Sequence, residues 1–403
     1  MSVHGFPTDR WLLPDGIEEL LPEDASRLEA LRRRLLDTCA SWGYEQVVPP
    51  LIEFLDSLLT AAGHDLELQT FKLTDPLSGR LLGVRADMTP QVARIDAHNL
   101  KRESPTRLSY VGTVLRAYSD PLERSRSPVQ IGAELYGYAG VEADLEVIRL
   151  MLELLAQAGV LHVHLDLGHV GIYRGLAREA GLDRESEAIV FDILQRKSGP
   201  DLKAFFDRFE CSEKARRGLL SLLELNGTAE ILEQARQTLG GMGRMVDGAL
   251  AALSEVAQHL RRHYPGLPIH FDLAELRGYH YHTGLVYAAF VPGHGREIAR
   301  GGRYDDIGQA FGRARPAVGF SADLKQLLRL GRVEVGPVRK RIMAPAGDDE
   351  ALREAIRRLR AEGWQVVQQL PGQSDDPISM ACGYRLVSCD GGYEVISLTD
   401  SNS

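Results

Sequence analysis

Eight polar or aromatic side chains, far apart in this sequence, make a set suited to holding a free amino acid. Such a ligand asks for a carboxylate against its ammonium group and an arginine against its carboxylate. It also needs polar groups matched to its side chain, all converging in a partly dry cleft. Asp87 and Thr89, in Val84-Arg-Ala-Asp-Met-Thr-Pro90, offer oxygens for the ammonium group. Gln130 and Glu134, in Val129-Gln-Ile-Gly-Ala-Glu134, are four apart on an apparent strand and so share a face. Arg116 and Arg277 bring fork-shaped donors for a carboxylate, and Tyr281 an aromatic wall and a hydroxyl, with His282 beside it. Each has a plainer reading when taken singly. Asp87 would cap a helix starting near Pro90, Glu134 would pair across strands, and Arg277 would be a solvated strand end. Convergence is what would make them a site.

Other constellations carry less chemistry. His280 and His282, with His270 nearby, and the pair His162 and His164 have the i, i+2 spacing that shares a strand face. No cysteine or well-spaced carboxylate completes a metal set in either place, so no metal is expected. Cys39, Cys211, Cys382 and Cys389 are scattered and fit no zinc knuckle, which suits reduced thiols in a cytoplasmic protein. Gly240-Gly-Met-Gly243 lacks the Lys-Ser/Thr and the preceding strand of a phosphate loop and reads as a turn. A net charge of −9 over 403 residues gives no bulk attraction to nucleic acid. No basic-then-apolar leader opens the sequence and no apolar run approaches membrane-spanning length.

Local signals predict the elements around these residues. Leu21 to Ser41 is an amphipathic helix, and Tyr44 to Val48 a strand stopped by Pro49-Pro50 at a sheet edge. Phe71 to Thr74, Gly79 to Val84, Leu108 to Leu115 and Val129 to Tyr138 alternate or cluster like antiparallel strands. Asp144 to Gln157 reads as a helix and Leu161 to Leu167 as a strand. Strands resume at Ile269 to Leu273, Tyr279 to Phe290 and Gly295 to Arg300, and Gly301-Gly-Arg-Tyr-Asp305 reads as a glycine-paired turn. Residues 1–171 and 264–330 are thus expected to form an α+β core on an antiparallel sheet, interrupted by a helical insertion over 172–263. Residues 331–403 are expected to form a small α/β domain, with a hairpin across Cys389-Asp-Gly-Gly392.

From Pro22 to Leu324 the order of motifs resembles the catalytic core of class II aminoacyl-tRNA synthetases, the histidyl branch in particular. Arg85-Ala-Asp-Met-Thr89 stands where that branch has Arg-Pro-Glu-Gly-Thr. Arg116 and Gln130–Glu134 match its second motif, and Arg277-Gly-Tyr-His-Tyr-His-Thr283 matches Arg-Gly-Leu-Asp-Tyr-Tyr-Thr. The resemblance implies that Asp87, Thr89 and Gln130 face an α-ammonium, Arg277 a carboxylate and Glu134 an imidazole. The departures point away from catalysis. Where the synthetase continues Arg-His-Glu-Arg, this sequence reads Arg116-Ala-Tyr-Ser119, and Ala317–Asp323 has no arginine to neutralise ATP. Loss of one such cation commonly costs about 10²-fold or more in rate.

The combination is similar to the regulatory subunits of ATP phosphoribosyltransferase, synthetase paralogues that charge no tRNA. That family implies a non-catalytic role in the first step of histidine biosynthesis, with feedback by L-histidine and no cofactor. It also implies a homodimer through the helix and strand at Pro22–Pro50, within a hetero-octamer containing a short catalytic phosphoribosyltransferase. Asp305-Asp306 is followed by Ile-Gly-Gln, not by the Thr-Gly of a phosphoribosyl pyrophosphate loop. The rival expectations are a divergent histidyl-tRNA synthetase and an amino-acid-binding module with another partner.

Overall fold

The computed structural model describes residues 12–60, 64–118, 125–275, 281–332, 340–373, 376–377 and 379–398. They fall into two compact units, divided between residues 333 and 334.

The first unit opens with the helix Pro22–Ser41. Proline takes a first-turn position that needs no N–H, and Glu23 and Asp24 sit at the positive end of the helix. Leu31, Leu35 and Cys39 form its buried stripe. Gly43 ends the turn at φ +80°, a conformation that glycine adopts without steric cost. Twelve strands follow: β1 (Glu45–Gln46), β2 (Ile52–Phe54), β3 (Phe71–Thr74), β4 (Leu81–Val84), β5 (Thr106–Thr113), β6 (Val129–Tyr136), β7 (His164–His169), β8 (Asn226–Gly227), β9 (Ile269–Asp272), β10 (Leu285–Phe290), β11 (Ala299–Arg303) and β12 (Ala317–Asp323).

Nine of these form one sheet in the order β1-β5-β6-β12-β11-β10-β7-β9-β8. From β5 through β7 every neighbouring pair is antiparallel, and parallel pairs, β1 with β5 and β7 with β9, flank this run. The period-2 alternation of β6 divides the sheet into two faces. Ile131, Ala133 and Leu135 enter the main core, which also takes in the helices Pro22–Ser41 and Val141–Gln157. The even-numbered residues turn to the other side, where Tyr110, Tyr136 and Tyr304 join Met88 and Val92 in a smaller, tyrosine-rich core. That second face carries the candidate site.

Six helices, from Val170–Ala180 to Arg244–His263, occupy the stretch between β7 and β9, and their apolar faces share the main core. A separate three-stranded sheet, β2-β4-β3, places Ile52, Phe54, Leu73 and Leu82 on one face. Leu55 and Leu58 close the opposite face over Gly83. The second unit pairs β13 (Arg341–Ala344), β14 (Gln365–Gln368), β15 (Tyr384–Cys389) and β16 (Gly392–Ser397) in the order β14-β13-β15-β16. The helix Glu350–Ala361 packs on this sheet around Leu352, Ile356 and Leu386. Asp349 caps that helix, accepting from the Leu352 N–H at 2.9 Å. Among the described residues no helix is long and apolar enough to cross a membrane.

The strand expected over Leu161–Leu167 is β7, shifted to His164–His169, and that expected over Tyr44–Val48 shortens to β1. The strand expected over Tyr279–Phe290 starts at Leu285, where pairing with His169 begins, and 276–280 lie outside the described residues. The strand expected over Gly295–Arg300 begins only at Ala299 and runs on through Arg303, into the expected turn, as β11. Its ladder starts at Ala299, opposite Ala289, and includes Gly301 and Gly302.

Candidate functional site

The site grows from one row across the sheet. Glu134 on β6 lies opposite Gly319 on β12, which lies opposite Gly302 on β11. A Cβ at Gly319 would fall 1.3 Å from Glu134 Oε2, so the missing side chain is what gives the carboxyl its room. Gly132 does the same for Tyr110, whose hydroxyl a Cβ there would approach to 2.4 Å. Glycine in a strand interior marks such close approaches.

Glu134 is 1 % exposed. Tyr110 donates to its Oε1 at 2.9 Å and Tyr304 donates to its Oε2. Burial pushes the carboxyl up to about 8. The two tyrosine bonds pull the other way, and the charge of Asp87 adds to the rise. Near neutral pH Glu134 is therefore largely a neutral acid between two hydroxyls. It can give an O–H to a ligand nitrogen, or accept an N–H once its proton has moved across.

The row continues toward the helix Thr89–Arg94. Thr89 Oγ1 lies 3.1 Å from the Tyr110 hydroxyl. Asp87 Oδ1 accepts from Gln130 Nε2 at 2.8 Å and from the Thr89 N–H at 2.9 Å, while Gln130 Oε1 accepts from the Met88 N–H at 2.9 Å. Asp87, Thr89, Gln130 and Glu134 are thus joined by hydrogen bonds through Met88 and Tyr110. Asp87 is not the cap of the helix Thr89–Arg94, whose N-cap is Met88, but its bond to the Thr89 N–H orders the turn that leads into it.

Tyr281 stacks on Tyr304 with ring centres 5.0 Å apart, and His282 meets Tyr281 edge-on at 5.2 Å. The next residue, Thr283, is locked in place: its N–H donates to the Arg303 carbonyl at 2.7 Å and its hydroxyl accepts from the Asp305 N–H at 2.9 Å. Among the described residues, the Tyr281 hydroxyl and His282 Nδ1 are buried with no hydrogen-bond partner. Orphaned buried polar atoms are costly and rare, and they mark where a ligand or water is wanted. Burial also takes His282 down to about 4, with the charges of Arg300 and Arg174 adding to the fall, so its ring is neutral.

Arg303, in Gly301–Asp305, turns away from this pocket. It forms a buried pair with Asp144 at 2.7 Å and donates to the Tyr138 and Gly140 carbonyls at 3.2 and 3.1 Å. The arginine therefore fixes the end of β11 to the start of the helix Val141–Gln157, which sets Tyr304 against Glu134. Arg116 lies just beyond β5, where its backbone bridges Thr70 and its N–H donates to the Arg126 carbonyl at 2.8 Å. Arg277 lies outside the described residues. The sequence reading missed Tyr110 as a site residue. A tyrosine across from Gly132 would have been the signal, had the register been known. Tyr304 lies in the Gly-Gly-Arg-Tyr-Asp run that reads as a turn, and the end of β11 brings its hydroxyl to Glu134.

Among the described residues no group of three or more His, Cys, Asp or Glu is placed to hold a metal ion. A shallow depression elsewhere is lined by Ile189, Ile193, Ala204, Phe205 and Phe209, with Asp201 and Arg208 exposed at it. It lacks the buried, converging polar groups found around Glu134.

The histidyl-tRNA synthetase family profile matches residues 16–327. A second profile, described as the ATP phosphoribosyltransferase subunit HisZ C-terminal domain, matches residues 339–396. The ATP phosphoribosyltransferase regulatory subunit of Thioalkalivibrio sulfidiphilus is 57% identical over 387 residues, covering 96% of this chain and 98% of its own length. The protein of that name from Methylococcus capsulatus is 58% identical over 389 residues, with 96% and 95% covered. A Bacillus halodurans crystal structure, described as an ATP phosphoribosyltransferase regulatory subunit/histidyl-tRNA synthetase, superposes with a TM-score of 0.80 at 27% identity. It covers 92% of this chain and 96% of that one. Histidyl-tRNA synthetase from Nostoc shares the fold at a TM-score of 0.74 and 17% identity, with 96% and 97% covered.

Proposed function

This chain belongs to the family of ATP phosphoribosyltransferase regulatory subunits, and on that footing we propose that it activates a separate catalytic chain and inhibits it when histidine binds. Its role is regulatory and non-catalytic, at the first step of histidine biosynthesis. The observation that carries the effector reading is Glu134, a buried acid held between Tyr110 and Tyr304 and linked to Asp87, Thr89 and Gln130.

In this reading the ligand's ammonium group meets Asp87, Thr89 and Gln130. Its carboxylate meets Arg116 and Arg277, its imidazole meets Glu134, and Tyr281 and His282 line the wall. An imidazole ordinarily titrates at about 6.5. Glu134 stands near 8, so at neutral pH the acid brings the one proton that the pair shares. Neither partner then needs to be buried as an unpaired charge. Histidine alters the output only if it binds one arrangement of the assembly more tightly than the other. A coupling of about 1–3 kcal/mol is typical of such control.

Catalysis resides in a short phosphoribosyltransferase partner, and the two chains assemble as a hetero-octamer in which two copies of this chain pair through the helix Pro22–Ser41 and β1. The apolar face beside that region supports an association surface: Ile52, Phe54 and Leu73 are all exposed, as are Val48 and Leu51. The effector reading is tested by Glu134→Ala. Histidine inhibition of the reconstituted complex is expected to weaken at least tenfold, while size-exclusion chromatography shows the wild-type assembly. Normal inhibition of that variant would remove the cleft as the control site.

A further inference from the structure

Arg85 is 7 % exposed, and among the described residues it has no carboxylate partner. Its guanidinium instead spends its donors on carbonyls. Nη1 donates to Pro49 at 2.6 Å and reaches Pro50 at 3.4 Å, and Nε donates to Thr113 at 3.0 Å. The backbone adds two bonds to the same segments. The Arg85 N–H donates to Leu51 at 3.1 Å, and the Leu115 N–H donates to the Arg85 carbonyl at 2.9 Å.

A buried charge without a counter-charge is expensive, and burial lowers the guanidinium's pKa here. A planar fork that bridges two chain segments is the property an apolar residue, or lysine, cannot supply. The two segments are informative. Arg85 opens the turn that carries Asp87 and Thr89, and Leu115 directly precedes Arg116. Arg85, by side chain and backbone, therefore ties the segment of Asp87 and Thr89 and the segment leading to Arg116 to the same corner, Pro49–Leu51, which leads into β2. Gly112 leaves the space this needs: a Cβ there would stand 2.4 Å from Arg85 Nη2.

We propose that Arg85 is a positioning residue for the effector site, holding its ammonium and carboxylate poles at the spacing of a bound amino acid. The inference rests on histidine binding in this cleft. Isothermal titration of L-histidine into the full-length chain tests it, with Arg85→Lys, Gly112→Ala, the double variant and Glu134→Ala compared with wild type. Each single change at 85 or 112 is expected to weaken binding about tenfold, and the double variant no further than Arg85→Lys, because both act on one guanidinium. A lowered melting temperature with affinity within about twofold of wild type in both singles would make Arg85 a structural residue only and overturn the proposal. If Arg85→Lys does not fold, Gly112→Ala decides by the same criterion. Unchanged binding by Glu134→Ala would overturn the cleft reading itself, and this inference with it.

Discussion

Glu134 owes its chemistry to its surroundings, and its titration has a consequence for stability. Its pKa rises from 4.5 to about 8 on folding, so between those values the folded chain keeps a proton that the unfolded chain has lost. Stability from this group is full below about 4.5 and is lost as pH climbs toward 8. His282 falls from 6.5 to about 4, so its contribution is full above 6.5 and is lost as pH drops toward 4. The two slopes oppose each other between 4.5 and 6.5, and from 6.5 to 8 Glu134 acts alone. Glu134→Gln is therefore expected to flatten a fall of about 2 kcal/mol over the upper window, followed by urea unfolding at a series of pH values. A variant that keeps the wild-type slope there would show that another group carries it.

At the scale of elements, the glycine row makes the site possible. Gly319→Ala would drive a methyl into Glu134 Oε2, and the carboxyl has no free direction between its two tyrosines. Loss of about 1–3 kcal/mol and of histidine binding together is the expected outcome, read by melting temperature and calorimetry. Full histidine affinity in Gly319→Ala would mean that Glu134 is not the imidazole's partner. On the small sheet, Phe54→Asp and Leu73→Asp place charges on its exposed apolar face and are expected to reduce self-association in sedimentation velocity. An unchanged mass would leave that face without a role in assembly.

These elements also mark where the sequence was legible. The helix at Pro22 and the β15–β16 hairpin were readable because caps, turn residues and alternation are local signals. The set Asp87, Thr89, Gln130 and Glu134 was readable because each position sits in a recognisable motif. Tyr110 was not, since its place beside Glu134 depends on cross-strand register, which no single strand's pattern contains. The start of β10 is not legible in the sequence for a related reason. Tyr281 and His282 are aromatic like strand residues, but Tyr281 packs flat on Tyr304 instead of entering the ladder.

At the scale of the whole molecule, the two units have separate apolar cores. The candidate site lies entirely in the first unit. A chain ending at residue 332 is therefore expected to bind histidine as the full chain does, by calorimetry, and loss of binding would assign the second unit a part in the site. A short catalytic ATP phosphoribosyltransferase chain should be nearly inactive alone, become active when this protein is added, and be inhibited again as histidine is titrated in. The same preparation should show no histidine-dependent ATP–pyrophosphate exchange. Absence of activation, or measurable exchange by this chain alone, would contradict the account.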